Sequence, residues 1–218
     1  MKIIDRLKVN KEKIRVIYEG YERVSNYINK SDFVFKRFKI EKNKYFVFVG
    51  TIQPRKNLLT LIEAFSRANI DKNIKLVIIG KWGWSYEKEK EAPKMYGVED
   101  RVIFTGYLDD DWRLTLVKNC IAYIQPSITE GFGLPILEAM DLKVPVISSN
   151  GGALEEVVGD SGLLFSPYET EKLAGYIESL IGNKNLKDRL VNRVNRRLKV
   201  FGWEKAAKET LDYLTYSK

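Results

Sequence analysis

The sequence contains no histidine among its 218 residues. That absence removes the commonest general base and the commonest metal ligand, together with every Ser–His or Cys–His nucleophile pair. The single cysteine, Cys120, excludes an intramolecular disulfide and a cysteine-rich metal site. Chemistry in this chain therefore depends on carboxylates, lysines or the substrate itself, unless part of the active site lies elsewhere.

Long apolar segments are lacking as well, because no run approaches the roughly 18–20 residues of a membrane-spanning helix. The first residues, "MKIIDRLKVNKEK", are too charged for a secretory signal. With 44% hydrophobic and 30% charged residues, the composition indicates a globular protein rather than a disordered one. We expect a cytoplasmic location, with peripheral contact to a membrane as an open alternative.

The formal net charge is +8. A solvated, lysine-rich surface is one interpretation of this excess. The other is an anionic partner, such as a nucleotide, a phospholipid surface or nucleic acid.

Apolar, β-branched segments alternate along the chain with segments of helical spacing. "KYFVFVGT" (44–51) is typical of a strand buried on both faces, and "NLLTLIEAFSRA" (57–68) of an amphipathic helix. Further strands are predicted over 13–20, 74–80, 101–106, 120–126, 143–150 and 162–167. Further helices are predicted over 86–97, 109–119, 134–142, 152–159, 169–182, 184–202 and 203–216, with one short helix at most in 21–43.

This alternation predicts an α/β fold with a doubly wound, parallel, Rossmann-like sheet. We expect residues 1–43 to form an N-terminal strand and linker region of the same domain. Residues 44–200 are predicted to form the Rossmann-like domain and residues 201–218 a C-terminal helix. In such sheets ligands bind at the carboxyl ends of the strands, so the loops there are the candidate sites.

The loop after the strand at 120–126 leads into a helix start with Pro135 at its first turn and Gly131 and Gly133 before it. Free backbone N–H groups and the helix dipole there favour an anion such as a phosphate. An ordinary packed helix with a preceding loop is the alternative. The N–H groups expected to be free are those of Gly133, Leu134, Ile136 and Leu137.

Two glutamates, Glu130 and Glu138, flank these glycines eight residues apart. Glu138 lies one turn inside the helix, where its carboxylate can accept hydrogen bonds from sugar hydroxyls, as the acid of dinucleotide-binding folds does with ribose. Glu130 lies in the loop on the open side, where a reacting sugar can sit. A solvent-facing role for either carboxylate is the alternative.

Two cations, Arg55 and Lys56, stand at another helix start, in "VGTIQPRKN" (49–57). Positive charge is unfavourable there without an anion, which suggests a diphosphate-binding pair. An exposed basic loop is the alternative. The run Asp109–Asp111 invites a metal interpretation, but three acids at a helix start are better explained as capping residues, and we predict no metal site.

At these residues the chain resembles a known family. "EGFGLPILEAM…VPVISSN" is similar to the signature of family 4 retaining glycosyltransferases of the GT-B fold, the group 1 glycosyltransferases. "VGTIQPRKNLLTLIEAF", "KLVIIGKWGW", "DRVIFTGYLDDD" and "FGWEKAAKETLDYL" agree in the same order. The resemblance covers about residues 10–216 and is to the C-terminal, nucleotide-sugar-binding half-domain alone.

The resemblance implies roles for individual residues. Lys56 contacts the donor diphosphate with Arg55 nearby, Glu130 faces the donor sugar, and Glu138 binds the ribose. Many relatives carry arginine where this chain has Thr51, so one phosphate contact is absent or comes from Arg55. The resemblance further implies contacts to the sugar and phosphate from Gly131, Phe132, Gly133 and Leu134, and weaker contacts to the base from Leu108 and Asp110.

It also implies the reaction. The family transfers a hexose with retention and without a metal, so catalysis rests on stabilising the leaving diphosphate with Lys56, Arg55 and helix N–H groups. Glu130 orients the sugar or offsets oxocarbenium charge and is not assigned as a covalent nucleophile. The donor is expected to be a GDP- or UDP-sugar, with a mannose-like sugar favoured, and the acceptor a glycan or a lipid-linked molecule.

Partners follow from the same resemblance. The N-terminal half of the family mainly binds the acceptor and often supplies a catalytic histidine, and it has no counterpart in this chain. An N-terminal half or a second copy of the chain is the expected partner. A non-catalytic nucleotide-sugar-binding or assembly module is the alternative function, and a nucleic-acid-binding domain is disfavoured. The basic helix over 184–199 is expected to pack on the sheet, with anionic lipid as the alternative contact for its charged face.

Overall fold

The computed structural model describes residues 8–25 and 32–216. The chain divides into two compact units, Arg23–Leu198 and a smaller unit formed by Met1–Glu22 with Lys199–Lys218. The larger unit contains the sheet and every candidate site residue.

The larger unit is built on a six-stranded, all-parallel sheet with the order β3-β2-β1-β4-β5-β6. The confirmed fold is therefore the predicted α/β class with a doubly wound, Rossmann-like sheet. The chain leaves β1 in one direction across the sheet and returns to β4 on its other side, so the β1 and β4 loops flank the switch point. The strands are β1 Tyr45–Val49, β2 Lys75–Ile79, β3 Val102–Gly106, β4 Tyr123–Gln125, β5 Val146–Ser149 and β6 Leu163–Phe165.

Helices connect the strands and cover both faces of the sheet. In the larger unit they are α1 Phe33–Phe38, α2 Leu58–Arg67, α3 Glu87–Met95, α4 Asp110–Lys118, α5 Leu134–Asp141, α6 Leu154–Val158, α7 Thr170–Ser179 and α8 Lys184–Leu198. The smaller unit contains α9 Trp203–Tyr216.

Strand β1 is buried along its whole length, as its unbroken apolar sequence predicts. Phe46 and Phe48 join the core that also contains Leu61 and Phe65 of α2. Tyr45 alternates to the opposite face, where its hydroxyl donates to the carbonyl of Leu116 on α4 at 2.5 Å. Both faces of the sheet are therefore covered by helices.

The strand predicted over 13–20 is not formed. The described residues 8–25 contain a 3₁₀ helix at Lys11–Lys13 and no strand. Val16 is exposed and Ile14, Ile17 and Tyr18 are half-buried, and the ring of Tyr18 meets that of Phe201 edge-on at 5.5 Å between centroids. A short apolar run predicts a buried strand, but without a pairing strand this segment remains extended chain with partly exposed side chains. The short helix allowed in 21–43 is α1, and residues 26–31 of that segment lie outside the described residues.

The ends of β1 and β2 approach each other closely at two glycines. A Cβ built on Gly80 would lie 1.9 Å from the carbonyl oxygen of Gly50, and the φ of Gly80 is +154°. This contact brings together the two loops that follow the strands.

Replacing Gly80 by alanine is expected to lower the free energy of unfolding by roughly 2–4 kcal/mol. The new Cβ would clash with the Gly50 carbonyl, and the positive φ of this position is strained for alanine. Gly175→Ala is the matched control. Gly175 lies within α7 with open space around it, so alanine there should stabilise by roughly 0.5–1 kcal/mol. Urea unfolding of both variants measures the difference, and equal stability of the two would contradict the close approach.

Candidate functional site

The loop after β1 is held against the loops after β4 and β6. It runs through a 3₁₀ turn, Pro54–Lys56, and ends at Asn57, whose φ is 58°. The side-chain amide of Asn57 donates to the carbonyls of Pro126 at 3.0 Å and Pro167 at 2.8 Å. These bonds place Arg55 and Lys56 beside the carboxyl end of β4.

The loop after β4 is held by the glycines after β5. The N–H of Ala153 donates to the carbonyl of Glu130 at 3.0 Å, and the hydroxyl of Ser149 donates to the backbone carbonyl of Ser127 at 2.5 Å. A Cβ on Gly152 would lie 2.3 Å from the Glu130 carbonyl oxygen. The glycine-rich segment "SNGGALEE" (149–156) therefore positions Glu130.

The carboxylate of Glu130 accepts hydrogen bonds from four side chains. Lys56 Nζ lies 2.6 Å from it and Arg55 Nη1 2.5 Å. The hydroxyl of Ser127 donates at 2.6 Å and the amide of Gln125 at 3.1 Å. The side chains of Lys56 and Glu130 are only 14% and 10% exposed. Arg55 and Lys56 were expected to need an anion, and the Glu130 carboxylate provides one within the chain.

A buried polar network lies behind this carboxylate. The hydroxyl of Tyr123 donates to Oε1 of Gln125, which leaves the Gln125 amide to point at Ser127 and Glu130. All three supporting side chains are buried. Sequence reasoning missed them because "YIQPS" was interpreted only as a strand end, although a glutamine and a serine in an apolar strand are a signal of a satisfied polar network.

Burial raises the pKa of Glu130, but hydrogen bonds from Lys56, Ser127 and Arg55 and the charge of Lys56 outweigh it, so the pKa lies below its usual 4.5. A carboxylate with a depressed folded-state pKa contributes stability above its unfolded-state pKa and loses it as the pH falls through the folded-state pKa.

The stability difference between the wild type and Glu130→Gln is therefore expected to be largest at neutral pH and to shrink below about pH 4.5. Urea unfolding of both proteins between pH 7 and pH 3 measures it. Glu155→Gln, on an exposed side chain of α6, controls for loss of one surface charge. A difference that grew on acidification would contradict the ion-paired state of Glu130.

Glu138 is bound by an arginine that sequence reasoning missed. Arg113 donates through Nη1 to Oε2 of Glu138 and through Nη2 to Oε1 at 3.2 Å. The same guanidinium contacts Asp110 through Nε at 3.1 Å and Nη2 at 2.9 Å. Arg113 and Glu138 are 15% and 22% exposed. The available signal was the spacing of Asp110 and Arg113, three residues apart on one helix face.

Glu130 and Glu138 both raise the pKa of the buried Tyr123. Burial raises the pKa of Tyr123 well above 10, and the negative charges of Glu138 and then Glu130 raise it further. Burial lowers the pKa of Arg113, but its hydrogen bonds and ion pairs with Glu138 and Asp110 raise it overall. Both carboxylates therefore lie close enough to Tyr123 to raise the pKa of its hydroxyl.

A cavity of about 340 Å³ opens between the ends of β1 and β2 and the start of α4. A Cβ on Gly50 would lie 3.5 Å from Cε of Lys56, so the cavity adjoins the Glu130 cluster. Of the predicted site residues, Thr51, Leu108 and Asp110 line it, and Lys81 and Arg113, which were not predicted, line it as well.

Helix α5 begins at Leu134 with Gly133 in the left-handed region, φ 116°, and with no side-chain cap within the described residues. The predicted residues Gly131 and Phe132 connect this start to Glu130. The expectation that Ile136 has a free N–H is wrong, because that group donates to the carbonyl of Gly133 at 2.9 Å in a tightened first turn.

The acids at the start of α4 have structural partners. Asp109 caps the helix by accepting from the N–H of Trp112 at 3.0 Å, as predicted. Asp110 pairs with Arg113. Over residues 8–25 and 32–216, no group of three or more His, Cys, Asp or Glu side chains could hold a metal ion.

Helix α8 buries Leu190, Val194 and Leu198, as its amphipathic pattern predicts, but it packs chiefly against α5 and not directly on the sheet as expected. On its basic face Arg193 and Arg196 contact Asp160. Lipid contact by this face stays a prediction. In the part of the chain that the structure describes, no helix has the length and apolarity needed to span a bilayer.

A family model described as "Glycosyl transferases group 1" matches residues 29–197. O-antigen chain mannosyltransferase B of Escherichia coli is 29% identical over 181 residues, which cover 82% of this chain and 48% of that protein. The chain thus spans about half of this relative, and it spans about a quarter of the Escherichia coli mannosyltransferases WbdA, of which one is 28% identical over 84% of this chain and 24% of that protein.

Solved structures agree on the fold. HepE of Anabaena in complex with UDP aligns with a TM-score of 0.83 at 23% identity, over 98% of this chain and 60% of that one. The C-terminal domain of the glycosyl transferase group 1 family protein LpcC of Francisella tularensis aligns with a TM-score of 0.68 at 25% identity, over 83% of this chain and 97% of that domain.

Proposed function

Because the chain belongs to the glycosyl transferases of group 1, we propose that it binds a nucleoside-diphosphate sugar and serves as the donor-binding half of a retaining hexosyltransferase. One observation carries this proposal. Two clusters of carboxylates and cations, one around Glu130 and one around Glu138, lie at the carboxyl ends of the strands beside one cavity, which Arg113 lines and which Lys56 adjoins at Gly50.

The Glu130 cluster is proposed to receive the diphosphate. Lys56 and Arg55 are held within hydrogen-bonding distance of one carboxylate, so they are already oriented for a second anion at the same place. The uncapped start of α5 follows Glu130 directly and adds backbone N–H groups and the helix dipole. Donor binding then transfers part of the cationic contact from Glu130 to the phosphates.

Bond cleavage at the anomeric carbon leaves negative charge on the diphosphate and positive charge on the sugar. Lys56 and Arg55 would stabilise the negative charge on the diphosphate. The Glu130 carboxylate, held in place by Ser127 and Gln125, would lie near the positive charge on the sugar. Because these groups are positioned before the reaction, little reorganisation is needed in the transition state. No metal is assigned a role in this mechanism.

The Glu138 cluster is proposed to bind the nucleoside. Glu138 would accept hydrogen bonds from the ribose hydroxyls, and Arg113 positions its carboxylate through two hydrogen bonds. Leu108 and Asp110 line the adjoining cavity, where the base would lie.

We favour a GDP-linked, mannose-like donor, because the relative from Escherichia coli is named a mannosyltransferase. A UDP-sugar is the second candidate, because HepE was solved with UDP. The acceptor, a glycan or a lipid-linked molecule, is proposed to bind to an N-terminal acceptor domain or to a partner chain, since this chain spans only 48% of O-antigen chain mannosyltransferase B.

A non-catalytic nucleotide-sugar-binding module is the second candidate function. Both candidates predict binding, and we expect these 218 residues alone to bind a donor without efficient transfer.

Calorimetry with GDP-, UDP- and ADP-sugars tests binding, and hydrolysis or transfer assays separate an enzyme from a module. A folded chain that bound none of these sugars would exclude both functions, and turnover at ordinary rates would contradict the need for a partner.

A further inference from the structure

Four cations surround the proposed donor site, and three of them are already paired. Arg55 and Lys56 contact Glu130, and Arg113 contacts Glu138 and Asp110. The fourth is Lys81, which lines, together with Arg113, the cavity between the ends of β1 and β2 and the start of α4. Within residues 8–25 and 32–216, Lys81 forms no ion pair, and its ammonium lies 4.8 Å from the centroid of the exposed Tyr107 ring.

The backbone holds Lys81 beside Thr51. The N–H of Ile52 donates to the carbonyl of Lys81 at 2.8 Å, and the N–H of Gly83 donates to the carbonyl of Ile52 at 2.8 Å. A Cβ on Gly83 would lie 2.9 Å from the methyl group of Thr51. The two residues therefore stand next to each other on the cavity wall, one neutral and one charged.

Lys81 adds a positive charge that the paired groups do not offset. The Glu130 cluster has one excess positive charge, and the cluster of Arg113 with Asp110 and Glu138 has one excess negative charge. These two charges cancel, so the ammonium of Lys81 is the additional positive charge available to an anion such as a diphosphate.

We infer that Lys81 is a phosphate-contacting residue of the donor site and replaces the cation that Thr51 does not provide. This inference rests on the proposed function. When the donor binds, the ammonium of Lys81 leaves the face of the Tyr107 ring and contacts the diphosphate, at small cost because a cation–π contact at an exposed site is weak. A charge-assisted hydrogen bond to phosphate is stronger than the contact it replaces.

The test is calorimetry of the full chain with GDP and UDP. Lys81→Gln is expected to weaken the better-bound nucleotide about tenfold, the lower end of the range for a hydrogen bond between charged groups. Lys118→Gln removes an exposed lysine from the last turn of α4, at the opposite edge of the sheet, and should change the affinity by less than about twofold.

A rescue variant tests whether a cation on this cavity wall is what the ligand requires, while Lys118→Gln controls for a general loss of charge. Lys81→Gln combined with Thr51→Arg should recover affinity to within about threefold of the wild type, because the cation returns to the same cavity wall. Equal binding by wild type and Lys81→Gln would overturn the role of Lys81 and leave the proposed function standing. Wild-type chain that bound neither nucleotide would overturn both.

Discussion

Lys56→Met is expected to weaken binding of the donor nucleotide by roughly tenfold to a hundredfold, the range of a hydrogen bond between charged groups. Lys56 is largely buried and bonded to Glu130 at 2.6 Å, so its ammonium is oriented before the ligand arrives. The loss should also appear in any transfer rate, because the same charge stabilises the leaving diphosphate.

Calorimetry with GDP and UDP measures this effect, and Lys118→Met, on an exposed lysine of the same chain, is the control. Methionine keeps the length of the Lys56 side chain, so loss of affinity reports the charge rather than the packing. Circular dichroism of the variant checks that the fold persists. Affinity within a factor of about two of the wild type would remove Lys56 from the binding site.

Arg113→Met is expected to cost about 3 kcal/mol of stability, since removing one partner of a buried ion pair leaves the other charge uncompensated. The charge left behind is that of Glu138, whose side chain is mostly buried. Asp110 is exposed and loses little when the arginine is removed. Urea unfolding of wild type and variant measures the loss.

The double variant Arg113→Met/Glu138→Gln separates this mechanism from loss of packing. Neutralising Glu138 removes the unpaired charge, so most of the lost stability should return while donor binding stays weak. Glu138→Gln alone is the matched control for the carboxylate. A double variant as unstable as the single one would show that Arg113 contributes through its packing and not through its charge.

Two expectations are wrong because a local sequence pattern does not specify the hydrogen-bonding partner of a backbone group. The segment 13–20 is apolar enough for a strand, yet it remains extended chain with partly exposed side chains and joins no ladder. Ile136 has its N–H bonded to Gly133 although a helix start usually leaves such groups free. In both cases the local pattern was correctly identified, but the partner was decided by atoms distant in the sequence or by the geometry of the turn.

The sequence by itself determined the fold class and the places where a ligand could bind. Continuous apolar strands alternating with helices specify a covered parallel sheet, because only burial on both faces accounts for strands without polar alternation. Glycines at strand ends allow close approach of a backbone or ligand, and cations at a helix start are unfavourable without an anion, so both indicate the ligand-binding loops.

Only the tertiary structure decided which side chains form pairs. Lys56 and Glu130 are 74 residues apart, and Arg113 and Glu138 are 25 apart, so no local spacing predicts their contact. The folded sheet brings the loops after β1, β2 and β4 to one edge, where charges neutralise one another and leave Lys81 without a carboxylate partner among the described residues. Such pairing depends on distance through space, and a linear pattern of residue types does not contain it.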